Sequence, residues 1–544
     1  MVVQTDRGTA QIHVEIDGQP AAPTLANDLV SATVESASRL PDSAVLRFHD
    51  LALQHSQDQV FALGHKLRVE FGDSEARNEV FVGEITSIEL DLETSDVTTL
   101  VVTAFDKAHR LHRGRRNRVF KERTDSGIAE QIARDHRLRA DVETTRTQHP
   151  YVLQEGKTDW EFLNQRAASV GYEVLVYEET LYFKRPPARP SDDVELAWQG
   201  DLVSLSARVS AFEQVDEVEV RAWDSLNKQA ISGAADRPNL LTSVGDNQPG
   251  GEAAHTAFNY EARLTLVSAV AKTDSEAERI AQAVLDDVSN VFMTIEGSAL
   301  GNPALRAGSG IVLKAVGPQF TGRYIATAVR HQYDSLGHRV HFKATGHRAA
   351  DLTSVLAAPQ SSELRVWPGL VTDNRDDRDA GRVKVRFPQL GEDVESDWCR
   401  VVAPGAGKNG GIEFLPEIDD EVLVLGSTPG QMYVLGGMWS AKDPPPLGVG
   451  DALQGHDVRR RIIKSRAGHH IQIDDDDADG GIKVTSADGQ TQVLIAAGGR
   501  AVEITADTIK LHARQQLTME SDGQAKLGAT GPLTLKGAQI NAGR

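Results

Sequence analysis

Few residues in this chain have the types and spacing that chemistry requires. The tandem His469–His470 could offer ring nitrogens to a metal or a proton. In a strand the two side chains point to opposite faces, so at most one reaches any given site. Asp474–Asp477 carries the charge of a cation site but lacks the ligand spacing and turn glycine of an EF-hand loop, and a solvated loop is expected. Cys399 is the single cysteine, which excludes an internal disulfide and a four-thiolate zinc site. Flanked by Trp398 and Val401, it reads as a small apolar residue of a half-buried strand. The remaining carboxylates and histidines form no recognisable acid–base pair or triad. The expectation is no enzyme, no catalytic residue, no cofactor and no metal.

Charge narrows the partners. The chain has 544 residues, 58 Lys and Arg against 78 Asp and Glu, and a formal net charge of −20. A non-specific nucleic-acid binder needs a basic surface, so no nucleic acid is expected. The basic run His109–Arg123 is the exception, read as a solvated surface segment or as a contact for an acidic protein. Hydrophobic residues at 40% and charged residues at 25% are globular values, while aromatics at 5% suit sheets of Val, Ile and Leu better than an aromatic-lined cavity. The N-terminus has neither the basic region nor the apolar core of a signal peptide, and no stretch is apolar enough to span a membrane as a helix. The chain is expected to be made in the cytoplasm and, if it acts outside the cell, to leave as part of a larger particle.

The elements divide the chain into four. Residues 1–190 mix α and β: Ile12, Val14 and Ile16 alternate as in a strand, and Ile128, Ala129 and Ile132 share a helix face behind a cap at Ser126. A second helix starts at Thr158 or Asp159, stops at Gly171 and leads into a hairpin. Residues 191–355 are mainly β, with one helix capped by Thr273, Asp274 or Ser275 and an apolar face of Ile280, Ala283, Val284 and Val288. Residues 356–445 hold about five short strands, with Val383, Val385 and Phe387 opposite Arg382, Lys384 and Arg386, as in a small barrel of oligonucleotide/oligosaccharide-binding (OB) type. Residues 446–544 begin as a linker and become repetitive.

In that last part, apolar pairs recur: Ile471/Ile473, Ile482/Val484, Val493/Ile495, Val502/Ile504, Ile509/Leu511, Leu517/Met519, Ala525/Leu527, Leu533/Leu535 and Ile540/Ala542. From Val502 onward the repeats step by seven or eight residues. Such short strands cannot bury their apolar pairs alone. Three chains wound about one axis, each turning its pairs inward, would do so and leave no lateral sheet edge, so a homotrimeric, intertwined β-helix is expected.

These residues carry a resemblance. "WPGLVTDN", "GRVKVRFP", the pair Trp398/Arg400, "DEVLV" and "YVLGGMW" resemble the barrel of the spike proteins of phage baseplates, of the valine-glycine repeat protein G (VgrG) of type VI secretion, and of extracellular contractile injection systems. "SRAGHHIQIDDDDADGGIKVTS" resembles the start of that family's triple-stranded β-helix, and "TDWEFLNQRAASVGYEVLVYEETLYF" lies in a stretch similar to its hub domains. One departure stands out, since Asp419 and Asp420 occupy a turn where the family has Gly; if Asp419 is left-handed, Asp is among the few residues that tolerate it.

The resemblance implies a structural, trimeric, non-enzymatic spike: two α+β to mainly β hub domains, an OB-type barrel and a trimeric β-helix needle that punctures a target membrane. It implies a hexameric inner tube protein, baseplate proteins and a small conical tip protein as partners, the last meeting Gln539, Ile540, Asn541 and Ala542. The particle would be a phage-tail-like assembly, in one version released outside the cell. Two alternatives stay open: a carbohydrate- or nucleic-acid-binding barrel, and a spike with peptidoglycan-degrading activity. The second is short of room, because about 20 residues separate Trp439 from Arg461 and the sequence stops inside the repeats at Arg544.

Overall fold

The computed structural model describes residues 11–541 apart from 39, 73–76, 93–97, 190–191, 246–247, 269–270, 347–364, 409, 427–431, 477 and 479. The chain forms two compact units, Met1–Met438 and Trp439–Arg544. The first is built on an antiparallel sheet of eleven strands. In order across the sheet these are Leu202–Val209, Met293–Leu300, Gly337–Ala344, Ala328–Asp334, Leu29–Ala37, Ser43–His49, Thr98–Phe105, Arg77–Leu92, Lys66–Gly72, Gln11–Ile16 and Gln19–Pro20. Alternation of side chains puts Ala32, Val34, Leu46, Phe48, Leu67, Val69, Phe71, Val102 and Ala104 into one core. The sheet joins distant parts of the sequence: Val34 lies opposite His331, and Arg330 reaches Glu35, 295 residues away, at 2.6 Å.

Two helices, Asp125–Asp135 and Asp159–Ala168, pack with the strands Arg139–Val142, Glu173–Tyr177 and Thr180–Lys184 around Ile128, Ile132, Phe162, Leu163, Val174 and Phe183. The first helix is capped by Thr124, whose hydroxyl accepts the Gly127 N–H at 3.1 Å. The expected cap, Ser126, instead sits inside the first turn and accepts the Thr145 N–H at 3.2 Å. The second begins in a full capping box between Thr158 and Glu161.

The helix Asp274–Ser289, capped by Thr273, covers the sheet Gln229–Ala235, Glu217–Asp224 and Arg263–Val267. Its most buried face is Ala277, Ala281, Leu285 and Val288, with Ile280 and Val284 on the flank. The small residues win because the helix runs close to the strand: a Cβ at Gly233 would stand 2.2 Å from the Glu278 nitrogen.

The closed barrel follows, with strand order Arg365–Asp373, Arg382–Arg386, Cys399–Val401, Met432–Gly437 and Glu421–Gly426. Val371, Val383, Val385, Phe387, Cys399, Val422, Val424 and Val434 fill it. A neighbouring two-stranded ribbon, Arg116–Thr124 paired with Gln148–Lys157, contributes Leu153 to that same core.

In the second unit the strands Arg460–Lys464, His470–Asp474, Gly481–Thr485, Gln492–Ala496 and Ala501–Thr505 form an antiparallel meander. No strand is formed among the described residues 506–541.

Candidate functional site

The meander's register produces one uncovered apolar face. Ile463, Ile471, Val484, Val493 and Ile504 lie opposite one another in a row, and Arg461, Ile473, Ile482, Ile495 and Val502 in the next. Both rows fall on the same side, because their members are two residues apart along each strand. From Ile471 to Ile504 these side chains, other than the half-buried Val493, are 41% to 68% exposed. Soluble proteins rarely leave a contiguous apolar patch of this extent uncovered, about 19 Å across five strands. Beyond the meander, Ile509, Leu511, Leu517, Met519, Leu527, Leu533, Leu535 and Ile540 are exposed as well, on backbone that forms no strand among the described residues.

The meander is held in place by charge. Arg459 donates to Asp474 at 3.1 Å and also meets Asp476 at 3.0 Å; Arg460 donates to Asp474 at 2.6 Å and Arg461 to Asp475. The expected solvated loop at Asp474–Asp477 is corrected in part: Asp475 is exposed, but Asp474 ends a strand, and Asp474, Asp475 and Asp476 are tied to Arg459, Arg460 and Arg461, while Asp477 lies outside the described residues. The hydrogen bonds from Arg460 and Arg459 hold the Asp474 carboxyl below its ordinary range. His469 accepts the Ala487 N–H at Nδ1, 3.1 Å, and His470 donates from Nδ1 to the Gly468 carbonyl at 3.0 Å. Both imidazoles serve the backbone.

The basic run His109–Arg123 lies largely exposed at the surface, as expected, and several of its cations pair within the chain. Arg110 pairs with Glu84, Arg115 with Glu161, Arg116 and Arg118 with Asp159, and Lys121 with Glu395 of the barrel. Cys399 is buried, and burial pushes its thiol up to about 12, which suits the apolar role expected of it. Asp419 has φ of 70°, a left-handed conformation that Asp is among the few residues to tolerate. Of the expected tip residues, Gln539, Ile540 and Asn541 are exposed in irregular backbone, and Ala542 lies outside the described residues.

Residues 8–335 match the family model described as Alg8 N-terminal domain. The chain belongs to that family. Behind that domain, residues 367–439 of this Alg8-family chain match the type VI secretion system/phage-baseplate injector OB domain. The resemblance to VgrG-like and phage-baseplate spike proteins holds, as does the mainly β fold with its closed OB-type barrel. No curated protein matches the sequence.

Among solved structures, the Francisella PdpA–VgrG complex in its half-lidded form has a chain that aligns at TM-score 0.56 and 10% identity, over 92% of this chain and 88% of that one. A lidless PdpA–VgrG complex aligns at 0.54 and 8%, over 91% and 98%. The E. coli c3393 protein, a type VI secretion component similar to the T4 tail proteins gp27 and gp5, aligns at 0.50 and 15%, over 78% and 99%. The shared fold covers the barrel as well as the N-terminal domains. No helix among the described residues is long and apolar enough to cross a membrane.

Proposed function

We propose that three copies of this chain form the spike of a contractile injection apparatus. The observation that carries the reading is the uncovered apolar face of the Arg460–Thr505 meander, continued by exposed backbone that forms no strand among the described residues to 541. Two further copies would cover both. Complete burial of one Ile or Val is worth about 1.5–3 kcal/mol, so eight such residues per chain give trimer assembly a large apolar driving force. The spike fold of the solved relatives and the injector OB domain support the same reading.

In this reading the N-terminal domains seat the trimer on a hexameric inner tube among baseplate proteins, and the barrels form a collar. The needle transmits axial force to the target membrane. Its work is mechanical, without catalysis or a cofactor, inside a tail-like particle. Gln539–Ala542 offer the contact for a small conical tip protein.

The deciding experiment is the native mass of the purified protein by light scattering on a size-exclusion column. A stable species at three times 58.9 kDa supports the spike, and a monomer refutes it.

A further inference from the structure

A cleft of about 990 Å³ opens where the N-terminal domains meet the barrel, all within the first unit, and the spike reading makes no use of it. Its walls come from three places. The ribbon supplies Lys121 and Tyr151, the sheet under the long helix supplies Trp223, and the barrel's second and third strands supply Lys384 and Arg400, with Trp398 just before the third. That barrel face is the one on which OB folds hold extended ligands.

Charge within the cleft is unevenly satisfied. Glu395 takes Lys121 Nζ at 2.9 Å and the Thr372 hydroxyl at 2.8 Å. Asp224 accepts the Leu226 N–H at 2.9 Å and the Asn227 amide at 2.6 Å. Asp397 accepts the Trp398 N–H at 2.8 Å and faces Lys272 at 4.0 Å. Arg378, Lys384 and Arg400, by contrast, have no carboxylate within ion-pair distance among the described residues. The Lys384 ammonium lies 4.7 Å from the Trp398 ring centre and the Arg400 guanidinium 5.9 Å from that of Tyr433, which leaves their outer sides open to an anion. Trp223 is 55% exposed, and the buried Tyr151 hydroxyl has no hydrogen-bond partner among the described residues.

We infer that this cleft binds an acidic peptide segment of another protein. Its carboxylates would meet Lys384, Arg400 and Arg378, and its apolar side chains would lie on Trp223 and Trp398. The volume suits a short segment. A polyphosphate strand is disfavoured, because it carries a charge on every unit and would bring phosphates against Glu122 and Asp377, whereas a peptide can alternate carboxylates with apolar side chains. The inference does not depend on the trimer, since every lining residue lies within one chain's first unit.

The test is fluorescence anisotropy of the full-length protein with a labelled alternating Glu-Leu octapeptide, with labelled oligo(dT) as a second probe, alongside the native mass of each variant. The peptide should bind saturably and oligo(dT) more weakly. K384E/R400E should weaken the peptide by about tenfold or more with native mass unchanged. Trp223→Ala, at an exposed site, should weaken it without loss of thermal stability. No saturable peptide binding, tighter binding of oligo(dT), or an undiminished affinity in both variants overturns the inference. So does a change of native mass in K384E/R400E, which would make the cleft an interface between copies. I482D, in the needle unit, separates the two readings: if it lowers the mass and still binds peptide, the cleft stands on its own.

Discussion

His331 and His338 meet inside the large sheet with Nδ1 of the first 3.0 Å from Nε2 of the second. Nε2 of His331 lies 2.8 Å from the Leu305 carbonyl, which can only accept, so that nitrogen carries the proton. Nδ1 of His331 must then accept from His338, whose own Nδ1 is buried without a partner. The Phe71 ring stacks on His338 at 3.9 Å and 11°. Both rings are thus neutral, and the one vacant lone pair, on His338 Nδ1, is buried where a further proton would leave an unpaired charge.

Burial depresses His331 to about 3, with the neighbouring His338 adding to the effect, and burial alone depresses His338 to about 4. An unfolded histidine titrates near 6.5, so below that pH the unfolded chain binds more protons than the folded one. Stability is therefore complete above about pH 6.5 and is lost as pH falls toward 4, at ~1.4 kcal/mol per pH unit for each ring. Denaturant midpoints measured from pH 7 to 4.5 should fall accordingly. H338Q should give a shallower fall, and an equal slope in that variant would show that the pair does not govern acid stability.

Arg118 is expected to be the costliest residue of the basic run to remove. Its guanidinium donates to Gln154 at 2.7 Å, Asp135 at 2.8 Å and Asp159 at 2.6 Å, and Asp159 is buried at the start of its helix. Burial pushes the Asp159 carboxyl up, but hydrogen bonds from His136 and Gln154 and the charges of Arg118 and Arg116 overcome this and hold it below its ordinary range. Taking away one partner of a buried ion pair costs about 3 kcal/mol. Arg118→Ala should lose roughly that in chemical denaturation, partly restored by D159N in the same chain. Arg113→Ala, in the same run, should change little.

Local patterns were legible in the sequence, and long-range ones were not. The barrel strands announced themselves by alternation, with Val383, Val385 and Phe387 all buried. The paired apolar residues from Ile471 to Ile504 fell on the strands expected of them. Thr124 and Ser126 both offer a capping hydroxyl, and only the course of the backbone decides between them. Nothing local links Val34 to His331, or marks Leu153 for a barrel that begins some 200 residues later. The ion pairs of the His109–Arg123 arginines were not legible, because their carboxylate partners come from other strands and helices.

Asp419 shows the local kind of inference reaching a backbone angle. Its N–H donates to the Val371 carbonyl at 2.9 Å while its φ is 70°, so the turn must close against the first barrel strand in a left-handed conformation. Glycine reaches that region without steric cost, whereas a β-branched residue is a true outlier there. Asp419→Gly should leave the thermal midpoint unchanged or raised. Asp419→Val should cost about 1–2 kcal/mol. Equal effects from the two would mean that the Asp carboxylate, not the backbone angle, sets the residue at this position.

The needle face gives the sharpest contrast between two sides of one sheet. Ile482 projects from the uncovered apolar rows, and Glu503 from the opposite side, in a row with Ile462, Gln472, Lys483 and Leu494. In a single chain, Ile482→Asp replaces an exposed apolar side chain by a soluble one and should be harmless. In the trimer it would bury unpaired carboxylates at the shared axis, each at a cost of several kcal/mol. Light scattering should therefore show the wild type and E503Q at three times 58.9 kDa and I482D at the monomer mass, with the near-ultraviolet signal of the first unit intact. If I482D keeps the wild-type mass, the apolar rows are covered by something other than their own copies, and the trimeric needle falls with them.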